Sequence, residues 1–480
     1  MNNYNLSPTL NPNRVFILQK SELENRWDAY YYLPKFKELE DKLKSKNIKK
    51  ISELSERIFS GSTPLSKGDA YTEDKNSGVP FVRSGDFNID GSINFDDLVY
   101  LTDEVHNKQL KSSKLKNNDL LFAIVGATIG KVGVYKSERE ANINQAICAV
   151  RLIDKQNIDY INAYFQTSIG QSLIDRTKRL VARANVNLDE ISSLPIILPS
   201  KEIQNKVIEI FNNSLNQKRQ NEAEAEKLLA SIDDYLLGEL GITLPTAPEN
   251  TLKNRMFVRT IKQITNNRFD PFYHKEDFSK LDKILDNKLF VKFSTLIQVI
   301  TKGETPLWKG ESYVESGIPF LKVQNISTEG IYGEITYITE DLHNTMVRSI
   351  LKGGELLYTM AGSIGIATYL PKDFGEANIN QAIAKIILKE NIEVDEGYLL
   401  AVINSAICKK QAQRFLTVSA QPNINFDQIK AIKIPVPPLD KQQEIADHIT
   451  KIRQQAQQLK DKTKEVLAKA SAEIEEILLH

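Results

Sequence analysis

Ala141-Asn142-Ile143-Asn144-Gln145-Ala146-Ile147 and, 236 residues later, Ala377-Asn378-Ile379-Asn380-Gln381-Ala382-Ile383 spell the same seven letters, ANINQAI, in a chain of 480 residues. Other strings recur at nearly the same distance. RWDAYY from Arg26 returns as RFDPFY from Arg268, and GSTP from Gly61 as GETP from Gly303, each 242 residues on. GVPFVR from Gly78 returns as GIPFLK from Gly317 at 239 residues, and ATIG from Ala127 as GSIG from Gly362 at 235. ANVN from Ala184 matches PNIN from Pro422 at 238. The order is kept and the offset drifts by only a few residues. The chain is therefore a tandem duplication of a unit of about 240 residues, far longer than a solenoid repeat.

Each unit reads as a globular part followed by a long helix. The globular part mixes short β-branched and aromatic runs, such as VPFVRSG, LLFAIVG, KVGVY and AICAVRLI, with Gly, Asn and Asp turns. That composition predicts a small, irregular sheet. A helical stretch is expected from Tyr160 to Arg179 and again from Gly397 to Arg414. Proline-bounded strands, LPIILP from Leu194 and IPVPP from Ile434, close the units, with their prolines at strand edges or in exit loops.

The tails differ in kind. Ile445, Ile449, Ile452, Ala456, Leu459, Thr463, Val466 and Ala470 alternate steps of four and three, a heptad seam with one polar member. In the first unit the same spacing picks out Phe211, Leu215, Lys218, Glu222, Ala225, Leu229, Ile232 and Leu236, with Lys218 and Glu222 polar. Each tail is about 40 residues, hence a helix of about 60 Å. A solitary helix of this kind would leave its stripe exposed, so the two are expected to pack on each other. The competing expectation is that each packs on its own globular part.

Hydrophobic residues make up 41% of the chain and charged residues 26%, ordinary for a soluble globular protein. No run approaches the roughly 18 apolar residues of a membrane helix, and MNNYNLSPTLNPNRVF lacks the apolar core of a secretory signal. Cys148 and Cys408 lie in apolar surroundings outside any CxxC pair. Buried free thiols in a reducing cytoplasm are the expectation. Lys plus Arg and Asp plus Glu number 62 each, which disfavours binding nucleic acid by bulk charge but not through local cations.

Catalytic signatures are missing. The nearest string to a base-methylating loop, Asp270-Pro271-Phe272-Tyr273, has one proline, and its counterpart reads Asp28-Ala29-Tyr30-Tyr31, which suits a turn or helix start. There is no dinucleotide fingerprint and no phosphate loop. The histidines, His106, His274, His343, His448 and His480, form no metal-ligand spacing. No catalytic and no metal-binding residue is assigned.

Several residues are candidates for touching DNA. Thr63 and Thr305 lie in glycine-proline turns, with Lys67 and Lys309 just beyond; a plain turn explains each copy equally well. Thr128 and Ser363 fall at the tip of a tight glycine hairpin. Asn144, Gln145, Asn380 and Gln381 have the chemistry to read adenine, but identical residues cannot read two different sequences, so they are expected to be scaffold or backbone contacts. Residues that differ between units are better discriminators. Arg83, Ser84 and Asp86 stand opposite Lys322, Val323 and Asn325 in the repeat, with Gln324 a further candidate beside them. Arg176, Lys178, Arg179 and Arg183 form a cationic cluster, echoed by Lys409, Lys410 and Arg414. The alternative for that cluster is a solvated face.

The duplicated order R-[WF]-D, G-[SE]-T-P, G-[VI]-P-F, G-x-I-G, N-I-N-Q-A, [VI]-N before a proline-bounded strand, and then a long helix, resembles the specificity subunits of type I restriction-modification systems over essentially the whole chain. PPLDKQQEIADHI from Pro437 is close to the family's helix start, whereas PSKEIQNKVIEIF from Pro199 carries an extra residue before Gln204. The resemblance implies an α+β protein with two target-recognition domains, each reading half of a split double-stranded DNA site. It implies an antiparallel, pseudo-two-fold coiled-coil spacer between them. Residues 1–200 and 242–438 would be the recognition domains, and residues 201–241 and 439–480 the spacer helices. The implied partners are two methyltransferase subunits, which bring S-adenosylmethionine, and restriction translocase-nuclease subunits; this chain would bind no cofactor and no membrane. Two other readings stay open: the recognition tail of a fused restriction-methylation enzyme, and a coiled-coil interaction scaffold.

Overall fold

The computed structural model describes every residue except 1–6, 8–9, 12–13, 25, 65–69, 89, 96, 155–156, 180–183, 250, 265–267, 307–312 and 417–421. The chain divides into two compact units. Unit 1 comprises residues 1–223 and 459–480, and unit 2 residues 224–458.

In unit 1 six strands carry the architecture: β1 (Ser55–Ser60), β2 (Val79–Val82), β3 (Leu120–Ala123), β4 (Val132–Val134), β5 (Ala141–Ile143) and β6 (Ile147–Leu152). One antiparallel sheet has the order β1-β6-β3-β4. A second sheet centres on β2 and β5, which run parallel with Phe81 opposite Asn142. β2 and β3 are buried along their whole length, which is why they read as continuous apolar runs rather than alternating ones; β5 is buried as well, with Asn142 at its centre. The expected helical stretch is two helices, α1 (Ile158–Gln166) and α2 (Ser168–Thr177). Thr167 breaks the run because its hydroxyl caps α2 by accepting from Gly170 N. The LPIILP strand pairs antiparallel with residues 48–50, placing Pro195 opposite Lys50 at the end of the ladder. The long helix α3 (Lys201–Glu239) follows.

Unit 2 repeats this plan. β7 (Ile297–Lys302), β8 (Ile318–Leu321), β9 (Leu356–Thr359), β10 (Ala367–Tyr369), β11 (Asn378–Ile379) and β12 (Ile383–Leu388) form an antiparallel sheet β7-β12-β9-β10 and a sheet containing the parallel pair β8 and β11. The helices are α4 (Glu396–Ile403), α5 (Ala406–Phe415) and the long α6 (Leu439–Leu479).

Within each unit the long helices run antiparallel. In unit 1 Asn221 donates to the Thr463 hydroxyl at 3.2 Å. In unit 2 Tyr235 stacks on His448 with ring centroids 4.0 Å apart, and Glu239 pairs with Lys441. The expected α6 seam is the buried one and continues through Ile474 and Leu478. The expected α3 seam needs correction. Ser214 and Asn221 are buried where Leu215 and Glu222 were expected, because the stripe steps by three and then four after Phe211. Polar residues occupy the seam there, so an apolar count chose the wrong neighbours. Asn221 and Thr463 satisfy each other inside it, a pairing that favours one register over apolar alternatives.

Both packing expectations hold at once. The unit 1 core joins Val207 and Phe211 of α3 with Ile474 and Leu478 of α6 and with the sheet and α1–α2 side chains. The unit 2 core likewise takes Leu236 from α3 and Ile445 and Ile449 from α6. Each globular part is thus completed by the helix of the other repeat. Ion pairs reinforce the docking: Lys218 in the α3 seam meets Asp90 at 2.8 Å. In unit 2 Arg453 interacts with Glu329, the repeat counterpart of Asp90.

Candidate nucleic-acid interface

Four strand ends converge in each unit. β1 and β3 both lie antiparallel to β6 and so point the same way, while β2 and β5 run parallel. Asn144 N donates to Val82 O at 3.2 Å, Ile124 N to Ala146 O at 2.9 Å, and the Thr63 hydroxyl to Gln145 Oε1 at 2.6 Å. The residues after β1, β2, β3 and β5 therefore form one loop cluster. Unit 2 repeats it, with Asn380 N on Leu321 O at 3.1 Å and Met360 N on Ala382 O at 2.7 Å. The glycine of G-[SE]-T-P is required by this contact. A Cβ on Gly61 would sit 1.7 Å from Ile143 O, and one on Gly303 would sit 1.9 Å from Ile379 O.

The glycine hairpin contributes its flank. Its connection is an eight-residue loop, 124–131, rather than the tight turn expected, since β3 and β4 end at Ala123 and begin at Val132. Gly126 and Gly130, like Gly362 and Gly365, adopt positive φ. The loop is held by the [VI]-N segment: Gly126 N donates to Ala184 O and Val186 N to Ile124 O, each at 2.9 Å. In unit 2 Ile424 N donates to Met360 O at 2.9 Å.

Beneath the cluster lies a buried network that sequence reasoning missed. Asn142 has no exposed surface. Its amide donates to Leu110 O at 2.8 Å and Ser113 Oγ at 3.0 Å, and its Oδ1 lies 2.6 Å from His106 Nδ1. Because both amide hydrogens are used, Oδ1 is the acceptor and His106 Nδ1 carries the hydrogen. His106 Nε2 then faces Glu140 at 3.2 Å. Asn378, His343, Ser349 and Glu376 repeat the arrangement. The signal was available: His106 and His343 are 237 residues apart, on the repeat offset. Reading the histidines only for metal spacing hid it. The second asparagine of the motif is local scaffold as well, since Asn144 Oδ1 accepts from Ala146 N and Asn380 Oδ1 from Ala382 N, both at 3.2 Å.

The expected DNA-facing residues divide by environment. Thr63, Thr305, Gln324 and Ser363 are exposed, and Ser84 and Lys322 half-buried. The Lys322 ammonium lies 4.9 Å from the Tyr313 ring. Arg83 is half-exposed and folds back on Asp86 at 3.1 Å. Thr128 donates to Val125 O at 3.0 Å. Asp86 and Asn325 are buried and hold the turns that follow β2 and β8, accepting from Arg83 N at 2.7 Å and Lys322 N at 3.0 Å. Lys67, Arg183 and Lys309 lie outside the described residues.

The cationic cluster is built into the framework. Arg176 lies 4.2 Å over the Tyr31 ring, donates to Tyr31 O at 3.2 Å and pairs with Glu40 at 3.4 Å. Arg414 does the same over Tyr273 at 4.2 Å, donating to Tyr273 O at 3.0 Å and pairing with Asp282. Lys178 meets Asp175 at 2.9 Å, Arg179 meets Glu190 at 3.0 Å, and Lys410 meets Asp277 at 2.8 Å. Lys409 is half-buried on α5. Burial would raise the Asp175 carboxyl, but hydrogen bonds from Lys178 and Tyr30 outweigh it and hold it below the usual carboxylate range. Contacting a base or phosphate with Arg176 or Arg414 would mean dismantling these contacts.

Among the described residues no group of three or more His, Cys, Asp or Glu is placed to hold a metal, and no helix is long and apolar enough to cross a membrane. Each unit offers a rigid, repeated base under exposed loops that differ from copy to copy.

The family model for the type I restriction modification DNA specificity domain matches residues 45–229 and 286–469, so the chain belongs to that family, with one specificity domain in each repeat. The type I restriction enzyme MjaVIII specificity subunit of Methanocaldococcus jannaschii is 23% identical over 393 residues, covering 79% of this chain and 83% of that one. The putative MjaX specificity subunit of the same organism is 22% identical over 437 residues, covering 90% and 92%. A chain from a structure of complex assembly and conformational transition in the type I R-M system aligns with 90% of this chain and 96% of its own, at 14% identity and a TM-score of 0.45.

Proposed function

We propose that each unit reads one half of a split, asymmetric DNA site through the loops at its strand ends, and that the chain carries no catalytic site of its own. The observation behind this reading is the contrast between what repeats and what varies. The buried His–Asn–Ser network and the Gly61 and Gly303 contacts are the same in both units. The loop residues above them differ: Ser62 against Glu304, Arg83 against Lys322, Ser84 against Val323, Thr128 against Ser363. One scaffold with two sets of exposed groups suits two different half-sites.

Thr63, Arg83, Ser84, Thr128, Thr305, Lys322, Gln324 and Ser363 are the contacts this reading favours, with Lys67, Arg183 and Lys309 as further cations. Two methyltransferase subunits would supply S-adenosylmethionine and the adenine-methylating centre, and translocase-nuclease subunits would add cleavage. Exchanging residues 26–200 for the matching unit of a relative tests the core claim by methylome sequencing. One half of the methylated site should change. A change in both halves would show that the units do not read independently.

A further inference from the structure

Arg83 is the first residue after β2, and its side chain is aimed by a carboxylate three residues on. β2 ends at Val82, whose carbonyl accepts from Asn144 N at 3.2 Å, so Arg83 enters the loop cluster directly. Asp86 Oδ2 accepts from Arg83 N at 2.7 Å and from Nε at 3.3 Å, and Oδ1 accepts from Nη2 at 3.1 Å. The carboxylate therefore holds the side edge of the guanidinium fork. The Asp86 side chain is only 8% exposed, whereas that of Arg83 is 43% exposed. Among the described residues the end edge of the fork, Nη1 and the outer hydrogen of Nη2, is left open. It presents two parallel donors on a rigid plane.

The second repeat shows that the turn does not need the charge. Asn325 stands in the place of Asp86 and accepts from Lys322 N at 3.0 Å, the same backbone bond. Its amide hydrogens go to Tyr332 O at 3.1 Å and Glu334 O at 3.0 Å, and the Lys322 ammonium lies 4.9 Å from the Tyr313 ring. A neutral amide suffices to close the turn, and burying a carboxylate is costly unless a cation answers it. A partly exposed ion pair between residues three apart adds little stability. The gain from Asp86 over an asparagine is thus the orientation of Arg83. The same carboxylate neutralises the guanidinium, which weakens it as a phosphate ligand. Two fixed, parallel donors match the adjacent acceptors O6 and N7 that guanine shows in the major groove.

We propose that Arg83 reads one guanine in the half-site of unit 1, its end edge on O6 and N7, and that Asp86 is the positioning residue behind it. Lys322 offers a point charge with no carboxylate behind it, so unit 2 makes no such fixed reading at the matching place. This deepens the functional reading above and rests on it.

The test uses the full chain in complex with the methyltransferase subunit of its own system. Methylome sequencing gives the wild-type site, and the exchange of residues 26–200 shows which half belongs to unit 1. Fluorescence anisotropy on duplexes carrying that site, and every single base-pair change in that half, then measures preference position by position. Arg83→Ala should lose its preference at one G·C pair, about 5- to 150-fold in the affinity ratio, and keep it elsewhere. Asp86→Asn retains the backbone bond, as Asn325 does, and should weaken preference at that same pair and no other, which a purely structural role would not single out. The double variant removes the uncompensated carboxylate that Arg83→Ala leaves behind, and should show the same loss at the same pair; thermal melts verify that each variant is folded. A unit 1 half-site without guanine on either strand overturns the proposal. So does an Arg83→Ala variant that keeps its preference at every G·C pair. Equal loss of affinity for all duplexes, with a salt slope shallower by about one, overturns it too, since that is the mark of a phosphate contact. A wild-type complex that binds all duplexes alike would instead remove the functional reading, and this proposal with it.

Discussion

Replacing Asn142 by alanine should unfold unit 1 at a lower temperature without changing which DNA sequence is read. Asn142 is fully buried and makes three hydrogen bonds. Two of the partners tolerate its loss, since Ser113 N and Oγ still donate to Leu110 O, at 2.9 and 3.1 Å. Those two bonds are worth about 1 kcal/mol each. The third loss is more severe, because the His106 Nδ1 hydrogen is left with no acceptor in a buried site, at about 1–3 kcal/mol. Three side-chain atoms also vanish from a packed interior. The sum is about 3–5 kcal/mol. At roughly 2–4 °C per kcal/mol for a unit of this size, the unit 1 transition should fall on the order of 10 °C in differential scanning calorimetry. Asn378→Ala should lower the unit 2 transition to a similar extent. At a temperature where the variant stays folded, its methylome should show the original half-site. A shift of less than about 1 kcal/mol together with an altered half-site would refute the scaffold argument and make the asparagine a base contact.

The docking of unit 1 on its helix pair gives a second expectation. Lys218→Met leaves Asp90 buried without its cation and should cost about 3–5 kcal/mol, much of it recovered in the double variant with Asp90→Asn. Burial pushes the Asp90 carboxyl up, but Lys218 and Ser92 outweigh it and hold it below the usual carboxylate range. Its contribution is therefore present at neutral pH and lost as pH falls through that lowered value, so the deficit of Lys218→Met relative to the wild type should shrink in acid; a pH series of melts checks the sign. Burial pushes the Cys148 thiol above its ordinary value and the Cys408 thiol up to about 12. An aromatic disulfide reagent at pH 8 should label neither thiol in the native chain and both in denaturant; rapid native labelling would contradict their burial. Inserting four residues near Glu222 and four near Lys462 lengthens each helix by about 6 Å. The gap in the methylated site should grow by one or two base pairs at about 3.4 Å each, with half-sites unchanged. An unchanged gap at full activity would mean that the helices do not set it.

The sequence by itself determined the duplication, the two long helices and the α6 seam. Each is written in local or periodic terms: seven identical letters at a nearly constant repeat offset, apolar steps of four and three, a proline after a β run. The argument that identical residues cannot read different bases led to the expectation that Asn144 and Gln145 are scaffold or backbone contacts, and Asn144 does bond within its own loop. What the sequence left undecided depended on partners far away along the chain. Whether Arg176 and Arg414 are free cations is settled by Tyr31 and Tyr273, more than 140 residues distant. Asn142 is a network centre only because the fold brings His106 to it, 36 residues away. The α3 seam misread Leu215 for Ser214 and Glu222 for Asn221, since a buried polar residue with a matched partner across the helix pair looks, in one dimension, like a surface one. Tertiary structure also decided that each core is closed by the helix of the other repeat. Periodicity shows that a helix has an apolar stripe, but the stripe does not name what covers it; that is decided by which surfaces the folded chain brings within contact distance.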